Sequence, residues 1–235
     1  MPRGERYIKV LILQGHGLPC PRYVAHGNPI CLRTRYICLR QIRYAPAVRD
    51  YRNEVKEVNY ATIKPFDVAN GPGVRVSLFV SGCTHRCKGC FNEEAWDFSY
   101  GEEFTSESLD KILTAMKPDY IKGFSLLGGE PFEPRNQVVL ADVLEEIKKA
   151  YPDKNIWCYT GYNYDEDLLS GRLCDKSITE KMLKNIDILV DGKFVEELKN
   201  LKLRFKGSEN QRIIDLRKTE ESGEITLWEG DTNEI

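Results

Sequence analysis

From Val74 onward the chain switches repeatedly between two hydrophobic periods, and that alternation limits its fold more than any other feature. Val74-Arg75-Val76-Ser77-Leu78-Phe79-Val80 alternates and is rich in β-branched residues, the pattern of a strand. Thr105 can cap a helix whose apolar face is Leu109, Ile112, Leu113 and Met116, at i, i+3, i+4, i+7. Gly123 to Leu127 reads as the next strand. Asn136 to Ala150 reads as a helix with Val139, Leu140, Val143, Leu144 and Ile147 inward, Lys148 and Lys149 favouring its C-terminal end, and Pro152 ending it. Ile156 to Thr160 and Ile186 to Val190 are further buried strands, with a helix around Thr179 to Lys184 between them. Strand alternating with helix implies an α/β domain with a parallel sheet and helices outside it. The length excludes eight βα units, and spacing alone leaves an open sheet and a partial barrel equally available.

The first of these strands runs into Ser81-Gly82-Cys83-Thr84-His85-Arg86-Cys87-Lys88-Gly89-Cys90-Phe91-Asn92, three cysteines at C-x3-C-x2-C. Eight cysteines without a leading signal sequence fit the reducing cytoplasm, where such a loop indicates a metal centre rather than disulfides. Soft thiolates select zinc, copper(I) or iron-sulfur clusters. Structural zinc takes four ligands, and no fourth is well spaced, since His85 sits inside the loop while Cys158 and Cys174 are distant singletons. A cubane cluster is usually held by four thiolates, so three leave one iron open to chemistry. A non-catalytic zinc-binding interaction module remains the alternative from a different class. A disulfide redox protein is disfavoured because there is no lone C-x-x-C in a thioredoxin-like context.

Charge narrows the partners. Residues 1–57 hold 11 Lys and Arg against 4 Asp and Glu, which leaves 23 against 32 for residues 58–235 and makes the main domain acidic by nine charges. A nucleic-acid partner would require a basic footprint, and none is expected. No run approaches the ~18 apolar residues of a membrane span. Hydrophobic content of 41% and charge of 30% are those of an ordinary globular chain with one well-buried domain.

The cysteine loop resembles that of the radical S-adenosylmethionine (SAM) enzymes, in which three cysteines hold a 4Fe-4S cluster and SAM chelates the fourth iron. Further segments, in order, are Asn59-Tyr60-Ala61-Thr62-Ile63-Lys64, Asn70-Gly71-Pro72-Gly73-Val74-Arg75, Leu127-Gly128-Gly129-Glu130-Pro131, Trp157-Cys158-Tyr159-Thr160-Gly161-Tyr162, Val190-Asp191-Gly192-Lys193-Phe194 and Gly207-Ser208-Glu209-Asn210-Gln211-Arg212. As a set, covering Asn59 to about Asp215, they resemble the activating proteins of anaerobic (class III) ribonucleotide reductases. The resemblance implies a shortened, incomplete (β/α) barrel with the cluster at the C-terminal edge of its strands. It implies an oxidoreductase that cleaves SAM reductively to a 5′-deoxyadenosyl radical and generates the glycyl radical of the large reductase subunit, with an electron donor such as flavodoxin. Activation of another glycyl-radical enzyme, such as pyruvate formate-lyase, is the alternative within the class.

On that resemblance Cys83, Cys87 and Cys90 are the cluster ligands, and Gly89 and Phe91 lie against the cofactor, Phe91 on its adenine. Gly128, Gly129, Glu130 and Pro131 match the segment that binds the methionine amino group; physically, two glycines expose strand-end carbonyls to an ammonium and Glu130 adds a counter-charge. Thr160 is expected at the ribose or carboxylate, and Asp191 and Lys193 beside the cofactor. Asn70, Gly71, Pro72 and Gly73 resemble a segment of glycyl-radical activases and are expected at the partner; a plain turn has the same composition. His85, Arg86 and Lys88 are expected to be solvated, and Trp157 and Cys158 to be core. Gly207 to Arg212 reads only as a turn between short strands.

Residues 1–57 stand apart: rich in Arg, without Ser, with Cys20, Cys31 and Cys38 at no metal-site spacing and no sustained period beyond Ile8 to Leu13. Members of the family it resembles begin with Met directly before a segment like Asn59-Tyr60-Ala61, where this chain has Val58, which a GUG start codon would encode. The expectation is a start at Val58, with residues 1–57 an upstream extension and residues 58–235 the activase domain.

Overall fold

The computed structural model describes residues 58–230 together with two short strands, β1 (Tyr23–Ala25) and β2 (Asn28–Ile30). The chain divides into two units, Met1–Tyr51 and Arg52–Ile235. Within the first, β1 and β2 pair antiparallel, Tyr23 opposite Ile30. The expected start at Val58 concerns residues that otherwise lie outside the described ones.

In the second unit the order is β3 (Asn59–Asp67), β4 (Val74–Val80), β5 (Glu102–Glu103), α1 (Ser106–Ala115), β6 (Ile121–Gly128), α2 (Pro134–Ala150), β7 (Asn155–Tyr159), α3 (Lys176–Asn185), β8 (Ile188–Asp191), β9 (Arg212–Asp215) and α4 (Leu216–Ser222). The strands form one sheet in the order β5-β3-β4-β6-β7-β8-β9. Strands β4, β6, β7 and β8 are parallel, with Phe79 opposite Leu127, Leu126 opposite Cys158 and Tyr159 opposite Val190. Strands β3 and β9 close the flanks antiparallel. This is the incomplete barrel-type α/β fold: four parallel strands joined by three helical crossovers, flanked on each side by a reversed strand.

The two faces of the sheet are built differently. Val76, Leu78 and Val80 share one face with Phe124, Leu126, Ile156, Cys158, Leu189 and Ile214, and against it pack Ile112, Met116, Leu140, Leu144, Ile147 and Met182 from the helices. Each of the larger aliphatic side chains in this layer contributes roughly 1.5–3 kcal/mol by burial. Thr105 stands at the N-cap of α1 as expected, its N–H donating to Ser108 Oγ at 3.3 Å. Helices α2 and α3 start earlier than the apolar pattern shows: Asp175 Oδ1 accepts Ser177 N–H at 2.9 Å to cap α3, and Pro134 opens α2, where its missing N–H is no loss. Lys148 near the end of α2 pairs with Asp187 at 2.7 Å.

The opposite face carries alternate residues of the same strands. Trp157, Ile188 and Val190 form a small cluster there with Tyr159, Phe205, Ile213 and Trp228. Beside it lies a polar inlay. Arg75, fully buried, donates to Ser125 Oγ at 2.7 Å and to the Phe124 carbonyl at 2.8 Å, while Asp67 accepts from Ser77 Oγ at 2.6 Å. Burial draws the Arg75 pKa down to about 10, with Tyr159, Asp187 and Asp67 pulling the other way. Trp157 and Cys158 are core, as expected, but on opposite faces. No helix among the described residues is long and apolar enough to cross a membrane.

Candidate metal and cofactor site

The loop after β4 is turned by residues with positive φ: Gly82 (+93°), Arg86 (+48°) and Gly89 (+71°). At Gly89 a Cβ would stand 2.9 Å from Glu196 Oε1, so this turn admits no larger residue without a shift. The loop lies over the end of β6. Gly129 N–H donates to the Val80 carbonyl at 2.7 Å and Glu130 N–H to the Gly82 carbonyl at 2.8 Å. A Cβ on Gly129 would come within 2.6 Å of that Gly82 oxygen, which is why two glycines stand at this crossing.

Together these strand ends enclose a cavity of about 440 Å³. Cys83, Cys87 and Cys90 line it, all three as free thiols. Asn92 N–H donates to Cys90 Sγ at 3.4 Å, while the backbone N–H groups of His85 and Arg86 favour the Cys83 thiolate and that of Phe194 the Cys87 thiolate. Burial pushes the Cys83 thiol up to about 11, against the pull of those two N–H groups, and also raises Cys87, against the charge of Lys193. Metal ligation would deprotonate both. Among the described residues no three His, Cys, Asp or Glu side chains converge tightly enough to surround one ion. Three cysteine thiols gathered at one cavity are a donor set of the kind that soft metals and iron-sulfur clusters take.

Of the other residues expected at a cofactor, Gly89, Phe91, Gly128, Gly129, Glu130 and Thr160 line the same cavity, as does Asn70. Phe91 is 82% exposed, at the rim. Pro131, Asp191 and Lys193 are not among the lining residues, nor are Gly71, Pro72 and Gly73. Gly71 instead lets the chain pass over Arg75 and Trp157, which a Cβ would meet at 2.8 and 3.2 Å. The Asp191 carboxylate, fully buried, accepts from Arg212 Nε at 2.9 Å, Arg212 Nη2 at 2.5 Å and Tyr164 N–H at 2.8 Å. Gly207 to Arg212, which the sequence shows only as a turn, thus delivers the partner of Asp191. Asp191→Ala is expected to destabilise the cluster-free protein by about 3 kcal/mol in denaturant unfolding, the low end for breaking a buried pair because Arg212 is partly solvated.

Several residues of the site are not apparent from the sequence. His85 is not solvated: its side chain is 9% exposed, with Nε2 2.9 Å from Glu130 Oε2 and the ring edge-on to Tyr162 at 4.3 Å. Glu133, 4% exposed, accepts both Thr84 N–H at 2.7 Å and Thr84 Oγ–H at 2.6 Å. Asn136 donates to the carbonyls of Ser81 and Glu130. Lys88 does project into solvent, where it pairs with Glu196 at 2.9 Å. The segment from Lys199 to Gly207 supplies a further wall. Trp96 and Tyr159 also line the cavity, with the indole N–H of one and the hydroxyl of the other buried and without a hydrogen-bond partner.

A family model described as a 4Fe-4S single cluster domain matches residues 69–214. Among similar proteins is the "Anaerobic ribonucleoside-triphosphate reductase-activating protein" of Vibrio cholerae, 44% identical over 158 residues, which cover 66% of this chain and 97% of the relative. The proteins of the same name from Enterobacteria phage T4 and Escherichia coli K12 are 38% and 40% identical, over 66% and 68% of this chain and 93% and 100% of their own lengths. With a 4Fe-4S domain over most of the sheet and such identity along nearly the whole of each relative, the chain belongs to the family of anaerobic ribonucleoside-triphosphate reductase-activating proteins.

Proposed function

We propose that this chain activates an anaerobic ribonucleotide reductase, as a radical SAM enzyme whose activity resides in residues 58–235. The observation that carries the proposal is the cavity itself, lined together by three free thiols and by the glycine-rich end of β6. Cys83, Cys87 and Cys90 would hold a 4Fe-4S cluster with one open iron, and the backbone of Gly128 and Gly129 with Thr160 and Gly161 would hold SAM. Bound together, the two groups would supply the chemistry: one-electron reductive cleavage of SAM, with release of methionine, and hydrogen-atom abstraction from a glycine of the large reductase subunit.

The protein's own part is positioning. The N–H groups that favour the thiolates offset the negative charge gathered there and bear on its reduction potential. The Trp157, Phe205 and Trp228 cluster beside the cavity helps keep water from its floor. No side chain need act as acid or base. A donor such as flavodoxin would deliver the electron in the reducing cytoplasm, and the Asn70 end of the cavity would face the reductase.

Anaerobically reconstituted protein is expected to carry about four irons and matching sulfide. The EPR spectrum of its reduced form is expected to change on adding SAM, and the reductase subunit to acquire a glycyl radical when both are present. One bound zinc with no EPR signal would overturn the proposal in favour of a structural metal loop.

A further inference from the structure

Glu130 is 1% exposed and its two carboxylate oxygens meet four donors. Oε1 accepts Phe132 N–H and Thr160 Oγ–H, each at 2.8 Å; Oε2 accepts Gly161 N–H at 2.7 Å and lies 2.9 Å from His85 Nε2. A carboxylate has about four lone-pair sites, so this one is filled without any ligand. It cannot also serve as a direct counter-ion for an ammonium unless one donor leaves.

Two of the four donors are backbone groups fixed by the ends of β6 and β7, and Thr160 follows β7 directly. His85 is the donor from elsewhere, midway between Cys83 and Cys87. Its ring is held on both sides, edge-on to Tyr162 and against Gly161, where a Cβ would lie 2.6 Å from the imidazole. A glycine at position 161 is therefore matched to a ring at position 85.

We infer that His85 is a positioning residue which acts through Glu130. By completing that carboxylate's set of donors, it locks the cysteine loop to the ends of β6 and β7, and so fixes the distance between the thiols and the Gly128–Gly129 backbone. Resting on the activase reading above, this assigns the SAM amino group to backbone carbonyls of that segment and leaves the Glu130 side chain as the clamp behind them.

The test compares reconstituted wild-type protein with His85→Phe, which keeps a ring against Tyr162 and Gly161, and His85→Gln, which restores a side-chain N–H donor. His85→Phe is expected to retain its iron and its reduced EPR spectrum without SAM, yet to bind SAM about 10-fold more weakly or worse, the usual size of loss for a residue one layer behind a site. Its defect should lie in KM for SAM more than in the rate at saturation, and His85→Gln should recover most of the affinity. Unchanged SAM affinity in His85→Phe would overturn the inference. So would loss of iron in both variants, which would make His85 a determinant of cluster assembly, or an equal loss of affinity in both, which would assign the role to the ring rather than its N–H. Wild-type protein run alongside separates the two levels: no SAM-dependent EPR change there removes the activase reading itself.

Discussion

Cys87→Ala is expected to abolish activation of the reductase and to leave reconstituted protein with well under the full complement of about four irons, a cubane having lost one of only three thiolates. The position is chosen because its partly buried thiol also feels the charge of Lys193 and the Phe194 N–H. No other cysteine of the described domain can replace it. Cys158 is buried on the helix-covered face of the sheet, and Cys174 lies in the segment before α3. Cys174→Ser is therefore the matched control, expected to keep both iron and activity. Iron and sulfide analysis with glycyl-radical EPR on the reductase subunit reads the outcome. Normal SAM cleavage by Cys87→Ala would refute the ligand assignment.

The second large effect is expected from Glu130→Leu. The substitution roughly preserves volume, but it strips partners from Phe132 N–H, Thr160 Oγ–H, Gly161 N–H and His85 Nε2 at once. A buried polar group left unpaired costs about 1–3 kcal/mol. Thr160, Gly161 and His85 line the cavity, where water can reach them in part, so the expected loss is about 3–5 kcal/mol rather than the full sum. Against a typical domain stability of about 5–15 kcal/mol, that is enough to loosen the site at physiological temperature. Glu130→Gln should fall well short of this, since its carbonyl oxygen still accepts. Equilibrium denaturation of the cluster-free proteins makes the comparison, and equal stability of Glu130→Leu and wild type would remove the clamp role.

The fold was legible because its parallel strands are buried on both faces and its helices on one. The run Val74 to Val80 matches β4 residue for residue, and the i, i+3, i+4, i+7 series from Leu109 to Met116 lies inward on α1. The flanking strands were less apparent. β3 carries many exposed residues, and β9 is four residues long, so neither stands out by hydrophobicity. Within the site, the cysteines and glycines were readable because thiolate spacing and positive φ demand particular residue types. The carboxylate assignments fared differently, because a sequence shows that Glu130 and Asp191 are present but not which donors fold onto them. Asp191 turned out to answer Arg212, 21 residues later. His85 looked like one more polar loop residue, and only the meeting of β6, β7 and the loop reveals its contact. The nearest available signal was Gly161, a glycine whose missing side chain makes room for that ring.

The bonds that hold the cysteine loop also decide whether it can be transplanted. Thr84 is fastened to Glu133 across 49 positions of sequence, His85 to Glu130 across 45, and the Ser81 carbonyl to Asn136 across 55. A protein engineer who cut out Cys83 to Phe91 and spliced it after a strand of another scaffold would carry over all three sulfurs and none of their fastenings. The smallest portable unit is two consecutive βα steps, β4 with its loop and β6 through the first turn of α2, with the end of β7 to complete it. Chimeras between distant members of the family should accordingly tolerate exchange of α1, while crossovers that separate the cysteine loop from its glutamates should yield protein that folds but does not keep iron.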